Sequence, residues 1–361
     1  VPLIAVCAVW GVFWGSWAAL LPAVKAGLGL STAGLGLALS AIPVGAIPAM
    51  ALAGRWARGR ERAGLGLATA LFGLGILAVA GAASGLPYPL TAALLVLGAG
   101  SGALDVTLNL ATGRAERQSG RRLFQPVYAA FPVAVIAAAP ATGLARDLGA
   151  GPGATLAVVA VPVLGCAFAP LALPPGTPES TARRTRTPWR QAALLGALAA
   201  CVLIIENAVE QWSALLLEDH LKASALVAAA APAGYMAALT AGRLIVQALP
   251  RLGPRALYAA AGAGGGAGIV LAGLAPAPGW ALAGFALTGL ALGPLVPAIL
   301  SRASAGDPRG SLVAAVSTIS YAGFVASPLL VGALAAAGGL RMALALLAVL
   351  AVPLLAMSAA R

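Results

Sequence analysis

Long apolar blocks run the whole length of this chain, several of them longer than the roughly 20 residues a helix needs to cross a hydrocarbon core. A stretch of that kind has no place in a small water-soluble domain. Inside a bilayer, its backbone must satisfy its own N–H and C=O groups, which leaves the helix as the spanning form for an apolar block. The blocks fall at about 2–24, 31–54, 64–84, 88–113, 124–145, 153–173, 191–217, 223–246, 256–275, 279–301, 311–337 and 340–360. The expected fold class is an all-α membrane protein of twelve transmembrane helices. Charged residues make up 9% of the chain against 61% hydrophobic. A soluble domain carries roughly 25% charged residues, so this chain lacks the polar surface to cover itself in water. Glycine and proline recur inside the blocks, as membrane helices tolerate.

The formal net charge of +12 would suggest nucleic acid in a soluble protein, but the basic residues sit in short connections between the blocks. With a cytoplasmic N-terminus, 18 of the 22 lysines and arginines fall on the inner side. They are Arg55, Arg58, Arg60 and Arg62; Arg114, Arg117, Arg121 and Arg122; Arg183, Arg184, Arg186 and Arg190; Arg243, Arg251 and Arg255; Arg302 and Arg309; and Arg361. Lys25, Arg146, Lys222 and Arg341 fall outside. This alternation places both termini in the cytoplasm and the protein in a cell (plasma or inner) membrane, with lipid and not nucleic acid against its basic loops. Cys7, Cys166 and Cys201 lie inside apolar blocks and read as small buried hydrophobes. No metal-ligand spacing and no cofactor motif occurs. The first block carries Trp10, Trp14 and Trp17 and no signal-peptide cleavage pattern, so it reads as a first span.

The stretch 174–190, rich in Pro, Ser, Thr and Arg, is the one long linker. It separates an N-terminal six-helix bundle at 1–173 from a C-terminal one at 191–361. Ala53-Gly54-Arg55 near the end of the second span is echoed by Ala241-Gly242-Arg243 near the end of the eighth, which suggests two parallel repeats.

Twelve spans, two halves and a basic 2–3 loop resemble the major facilitator superfamily. Its 2–3 loop signature, roughly G-x-x-x-D-R-x-G-R-R, is matched in its arginines by Ala53-Gly54-Arg55-Trp56-Ala57-Arg58-Gly59-Arg60, with Gly54 where the signature has aspartate. Three segments resemble the fucose-permease-like branch with its YbjJ-type members. They are Phe13-Trp14-Gly15-Ser16-Trp17 to Leu21-Pro22, with Lys25 and Leu28-Gly29-Leu30-Ser31; Gly102-Ala103-Leu104-Asp105-Val106-Thr107-Leu108-Asn109, with Glu116-Arg117 and Gly120-Arg121; and Glu206-Asn207-Ala208-Val209-Glu210-Gln211-Trp212-Ser213-Ala214. The resemblance implies two pseudo-symmetric six-helix bundles, secondary transport, and a conformational gating role for the loop at Gly54, Arg55 and Arg58. The span-5 antiporter signature of the superfamily is absent. The acid that the branch's sugar transporters carry on span 1 is also absent, with Ser16 the polar residue there.

Acids decide where chemistry could occur. Glu61, Glu116, Asp147, Glu179, Glu218, Asp219 and Asp307 fall in loops or at span ends, whereas Asp105, Glu206 and Glu210 lie within spans. A lipid-facing carboxylate costs at least about 2.5–3.5 kcal/mol, so such groups face a bundle interior or a wet cavity. Asp105 and Asn109 are four residues apart on one helix face, as are Glu206 and Glu210, with Asn207 adjacent. Either set could load and release a proton, or could glue helices together. Trp10, Trp14 and Trp17 form one stripe that could stack on a sugar ring or hold a cation, or simply pack; Trp212 is a further aromatic beside the acids of span 7. Arg146 and Arg243 sit at span ends and can snorkel outward, so no fixed positive charge is expected mid-span, which disfavours anionic substrates. The Gly/Ala run at 261–268 and Gly98-Ala99-Gly100 read as close-packing surfaces rather than phosphate loops, and His220 as a solvated loop residue.

The expected function is secondary active transport of a small neutral polar (sugar-like) or cationic solute. The expected mechanism is alternating access through a central cavity between the halves, coupled to protons, in a monomer without cofactors and without enzyme activity. Proton-driven efflux of a drug-like or metabolite compound, and a non-transporting sensor on the same fold, are the alternatives.

Overall fold

The computed structural model describes residues 1–87, 89–121, 123–174, 189–249, 252–306 and 311–359. Most of the linker expected at 174–190 lies outside the described residues. So do Arg122, Glu179, Arg183, Arg184, Arg186, Arg251, Asp307, Arg309 and Arg361.

The described chain is helical throughout. Ten helices long and apolar enough to cross a membrane are α1 Pro2–Gly27, α2 Thr32–Trp56, α3 Glu61–Ala83, α4 Leu90–Ser119, α5 Phe124–Asp147, α6 Pro152–Ala172, α7 Trp189–His220, α8 Ala225–Ala248, α9 Pro254–Leu274 and α10 Pro278–Ala303. An eleventh apolar stretch, Ala315–Ala359, is 45 residues long. At about 1.5 Å per residue it would measure about 68 Å, over twice a bilayer core of roughly 30 Å. Gly339 divides it, with φ 79° and ψ 161°, a conformation that glycine alone adopts without strain. The two resulting helices, α11 (311–338) and α12 (340–359), bring the number of spans to twelve. Most boundaries fall within three residues of the sequence expectation, and two of the differences have a visible cause. α3 starts at Glu61 rather than 64, and α4 runs on to Ser119 rather than 113, because Glu61 and the residues around Arg114 are held by side-chain bonds described below.

The chain forms two compact units, Val1–Thr181 and Ala182–Arg361. Each repeats one packing scheme. In the first unit α1 packs on α5, α2 and α3 pack on α4, and α3 packs on α6. In the second, α7 packs on α11, α8 and α9 pack on α10, and α9 packs on α12. Helices in lipid gain little hydrophobic energy from one another, so small residues that allow backbone approach decide these contacts. A Cβ on Gly15 would meet the Val135 carbonyl at 2.8 Å across α1–α5, and one on Gly323 would meet the Ala200 carbonyl at 2.8 Å across α7–α11. Hydroxyls join the same two pairs: Thr142 Oγ1 donates to Ser16 Oγ at 2.9 Å, and Ser327 Oγ donates to the Ile204 carbonyl at 2.9 Å.

Local signals repeat as well. Ser31 caps α2, its Oγ accepting from Gly34 N at 3.0 Å, and Ser224 caps α8, accepting from Val227 N at 3.4 Å. Two residues before each serine the chain turns through a left-handed residue, Gly29 (φ 61°) and Lys222 (φ 55°). The Gly/Ala run in α9 includes a π-turn, Ala261–Gly265. Its Gly262 and Gly265 back onto Leu355 and Leu292, and Gly268 onto Thr288, which is close packing. Gly98 and Gly100 likewise back onto Ile42 and Phe72.

Candidate functional site

In the first unit the polar stripe is on α4. Ser101, Asp105 and Asn109 follow at intervals of four, so they share a face. Asp105 is half-buried near the middle of α4, and Asn109 is exposed. Asn109 Nδ2 donates to Asp105 Oδ1 at 3.0 Å and to its carbonyl at 2.9 Å, which fixes the carboxylate rotamer against its own helix. One turn earlier, Trp10 Nε1 on α1 donates to Ser101 Oγ at 3.0 Å, and its ring meets Phe131 of α5 edge-on at 5.2 Å. Cys7, also on α1, lies within electrostatic range of Asp105. The stripe of α4 therefore faces the Cys7–Trp10 edge of α1.

The three tryptophans of α1 divide by environment. Trp10 and Trp14 are half-buried, while Trp17 is completely buried. Trp17 stacks on Phe13 at 6.1 Å, and Phe13 meets Phe72 of α3 edge-on at 5.1 Å. Trp17 is thus part of an aromatic core between α1 and α3. Ser16, the polar residue of this span, is used up by Thr142.

The second unit places its acids on α7. Glu206 and Asn207 are buried and Glu210 is half-buried. Gln211 Nε2 donates to Asn207 Oδ1 at 3.0 Å. Glu206 Oε1, Gln211 Oε1 and Trp212 Nε1 are buried without a hydrogen-bond partner. From α8, Tyr235 and Arg243 come close enough to act electrostatically on both glutamates and on each other. Tyr235 is fully buried, and its hydroxyl also lacks a partner.

Arg243 corrects a sequence expectation. It does not snorkel outward: its Nε donates to the Gly293 carbonyl at 2.9 Å, and its charge acts on Glu206 and Glu210. The second unit therefore has a positive charge held within the fold and within electrostatic range of its acids. The expected span at 223–246 already enclosed Arg243, and that was the signal for it. Tyr235 had a weaker one, a lone phenol in a run of alanine and glycine. Arg146 is also held inward, Nη1 donating to the Ala19 carbonyl at 2.8 Å. Arg341 closes the end of α9 by donating to the carbonyls of Gly273, Leu274 and Ala275.

The 2–3 loop holds a second correction. Gly54 is half-buried, with Val106 Cγ1 3.5 Å from where its Cβ would sit, and Arg55 and Arg58 are exposed. Seven residues after Gly54, Glu61 is buried: its Oε1 accepts from Gly59 N at 2.8 Å, and its Oε2 pairs with Arg114 Nη1 at 3.0 Å. Arg114 thus ties the loop to α4 rather than facing lipid. Glu116 is likewise structural, its Oε2 accepting from Leu123 N at 2.7 Å and Phe124 N at 3.3 Å at the start of α5. His220 ends the π-turn that closes α7 and is exposed. Cys7, Cys166 and Cys201 are free thiols. Among the described residues no three His, Cys, Asp or Glu side chains gather as metal ligands.

No family model matches the chain. It is 29% identical to an uncharacterised MFS-type transporter of Yersinia pestis, over 94% of this chain and 90% of that one. Among solved structures, the nucleoside transporter NupG superposes with a TM-score of 0.75 at 15% identity, covering 100% of this chain and 99% of the other. A D-xylose-proton symporter superposes with a TM-score of 0.73 at 15% identity, covering 98% and 96%. The chain is an integral membrane protein with the major facilitator fold, and the proteins it is similar to are transporters, not enzymes.

Proposed function

We propose that this protein is a secondary active transporter of the major facilitator type, moving a small neutral polar or cationic solute by alternating access with proton coupling. It acts as a monomer in the plasma or inner membrane, with both termini cytoplasmic and no cofactor. The names of its relatives and neighbours support the transporter reading: one is an MFS-type transporter, another a D-xylose-proton symporter. The observation that carries the coupling is Asp105. A carboxylate in the middle of a spanning helix is retained where it titrates or pairs, and Asp105 is bonded to a neutral amide, Asn109, on its own helix. That bond orients the carboxylate without supplying a counter-charge. Such a group can take a proton from one side and yield it to the other.

The test is transport in proteoliposomes of a solute found by thermal-shift screening of the purified protein. Asp105→Asn keeps shape and hydrogen bonding and removes titration. It is expected to abolish accumulation driven by a pH gradient while leaving counterflow exchange in place. Accumulation at the wild-type level in the Asn variant rejects Asp105 as the coupling acid and moves that role to Glu206 and Glu210.

A further inference from the structure

We propose that the cleft between the start of α9 and the end of α10 binds one anionic phospholipid, its acyl chain on the apolar floor and its phosphate at Arg302. The proposal rests on the membrane fold and is independent of the transported solute.

The cleft follows from how the two helices are built. Along most of their length α9 and α10 touch through small residues. A Cβ on Gly268 would meet the Gly284 carbonyl at 2.7 Å, and one on Gly264 would meet the Ala291 Cβ at 2.8 Å. Next to that contact both helices lose regularity. α9 contains the π-turn Ala261–Gly265, and α10 is interrupted between Leu292 and Leu295. Proline accounts for the second break. Pro297 has no N–H for the Gly293 carbonyl, which accepts from Arg243 Nε at 2.9 Å instead, and Pro294 has none for the Leu290 carbonyl. Past the breaks a cleft of about 420 Å³ separates the two helices. Small-molecule sites occupy roughly 300–1,000 Å³.

The lining divides by chemistry. Leu257, Leu295 and Ile299 form an apolar floor, with Leu295 and Ile299 each 1% exposed. Tyr258, Ser301 and Arg302 supply the polar edge, and the Arg302 side chain is exposed. Arg255, also exposed, comes three residues before Tyr258 and so shares its helix face. No Asp or Glu occurs from 252 to 306, and the next acid, Asp307, lies outside the described residues. Leu287, Ala291, Ala298 and Arg302 follow one another at helical spacings, so they form one stripe. Leu287 is 38% exposed, so the cleft opens on a side where α10 presents leucine, the surface that lipid covers.

This combination selects the occupant. An acyl chain matches the floor, and a phosphate matches the arginines, with the hydroxyls of Tyr258 and Ser301 as further donors. A free anion would leave the floor uncovered. A zwitterionic lipid would cover the floor but bring its own cation beside the guanidiniums. The first unit offers a contrast. A cavity of about 280 Å³ between α2, α3 and α4 has no charged residue in its lining, so it does not distinguish one headgroup from another.

The experiment titrates the full chain in neutral detergent with phosphatidylglycerol or phosphatidylcholine of identical chains, read by native mass spectrometry. Phosphatidylglycerol is expected to bind at least tenfold more tightly. Arg302→Gln should weaken it about fivefold, one arginine's share of the attraction to an anionic lipid, and Arg302→Lys should not. Ala298→Phe fills the cleft and should weaken both lipids. A phosphatidylglycerol with a photoreactive acyl chain should label 252–258 and 295–302, and inorganic phosphate should not displace it. Equal affinity for the two lipids, unaltered affinity in Arg302→Gln, labelling confined to other helices, or displacement by inorganic phosphate each overturn the site.

Discussion

Arg114→Gln tests whether the 2–3 loop is held by the buried pair with Glu61. The two side chains are 11% and 8% exposed and meet at 3.0 Å, so the pair is well shielded from water. Removing the guanidinium strands a buried carboxylate whose remaining bond is the Gly59 amide at 2.8 Å. Leaving such a charge behind costs about 3–5 kcal/mol. Glu61→Gln is milder. The amide oxygen can still accept from Gly59, and Arg114 keeps interactions besides Glu61, so the loss is that of one charge-assisted bond, about 1.5–3 kcal/mol. The double variant should then lose less than the two single losses added together, with a coupling of about 1.5–3 kcal/mol. Sodium dodecyl sulfate titration in mixed micelles, monitored by tryptophan fluorescence, measures each corner of the cycle. A coupling below about 0.5 kcal/mol would match an exposed ion pair, and would refute the idea that this contact fixes the loop to α4.

Gly339→Ala forces a Cβ onto a backbone with φ 79° and ψ 161°, and is expected to cost about 1–3 kcal/mol by the same titration; no loss would mean that the break between α11 and α12 is relaxed. For topology, single cysteines at the exposed positions Ser84 and Ser119, in a chain lacking Cys7, Cys166 and Cys201, are expected to label with a membrane-impermeant maleimide from outside and only after permeabilisation, respectively; the reverse pattern would invert the orientation.

Apolar length alone made the helices legible, including the division of 311–360 into two spans that are continuous but for one glycine. The repeat was less legible than it is real. Three letters, Ala-Gly-Arg around Gly54 and Gly242, suggested it, whereas the matching features are conformational: a left-handed residue two places before a serine cap, built once with Gly29 and once with Lys222. A lysine in that role conceals the match, because the letter gives no sign of a positive φ. Among site residues, the i, i+4 spacing was enough to join Asp105 to Asn109. It gave no hint of Tyr235 and Arg243, since contacts between α7 and α8 depend on how two helices are rotated about their axes. Charges counted as topology signals also carry a structural role that the count does not reveal. Arg114, Arg146, Arg243 and Arg341 each bond within the fold, and a count of basic residues cannot separate a loop arginine from one turned inward.

The two units share a scaffold but not a charge pattern, and that difference bears on what each can do. Gly54 lies in ordinary contact distance of the Val106 side chain of α4, whereas Gly242 backs tightly onto the Leu290 carbonyl of α10, so the second helix lies against the fourth in both units and more closely in the second. The arginine that follows diverges: Arg55 is exposed, while Arg243 is bonded to Gly293 and acts on two glutamates. In the first unit the mid-span charge is a lone carboxylate beside an amide, a group suited to taking up and giving back one proton. In the second, two carboxylates one turn apart share the electrostatic reach of a guanidinium that is itself bonded to Gly293. Had the arginine been turned out in both units, the second would present two uncompensated acids, a costly arrangement in a bundle. The inward Arg243 therefore sets the acids of the second unit apart from Asp105, whose bonded neighbour is a neutral amide, and that contrast is the physical reason to look for proton coupling at Asp105 first.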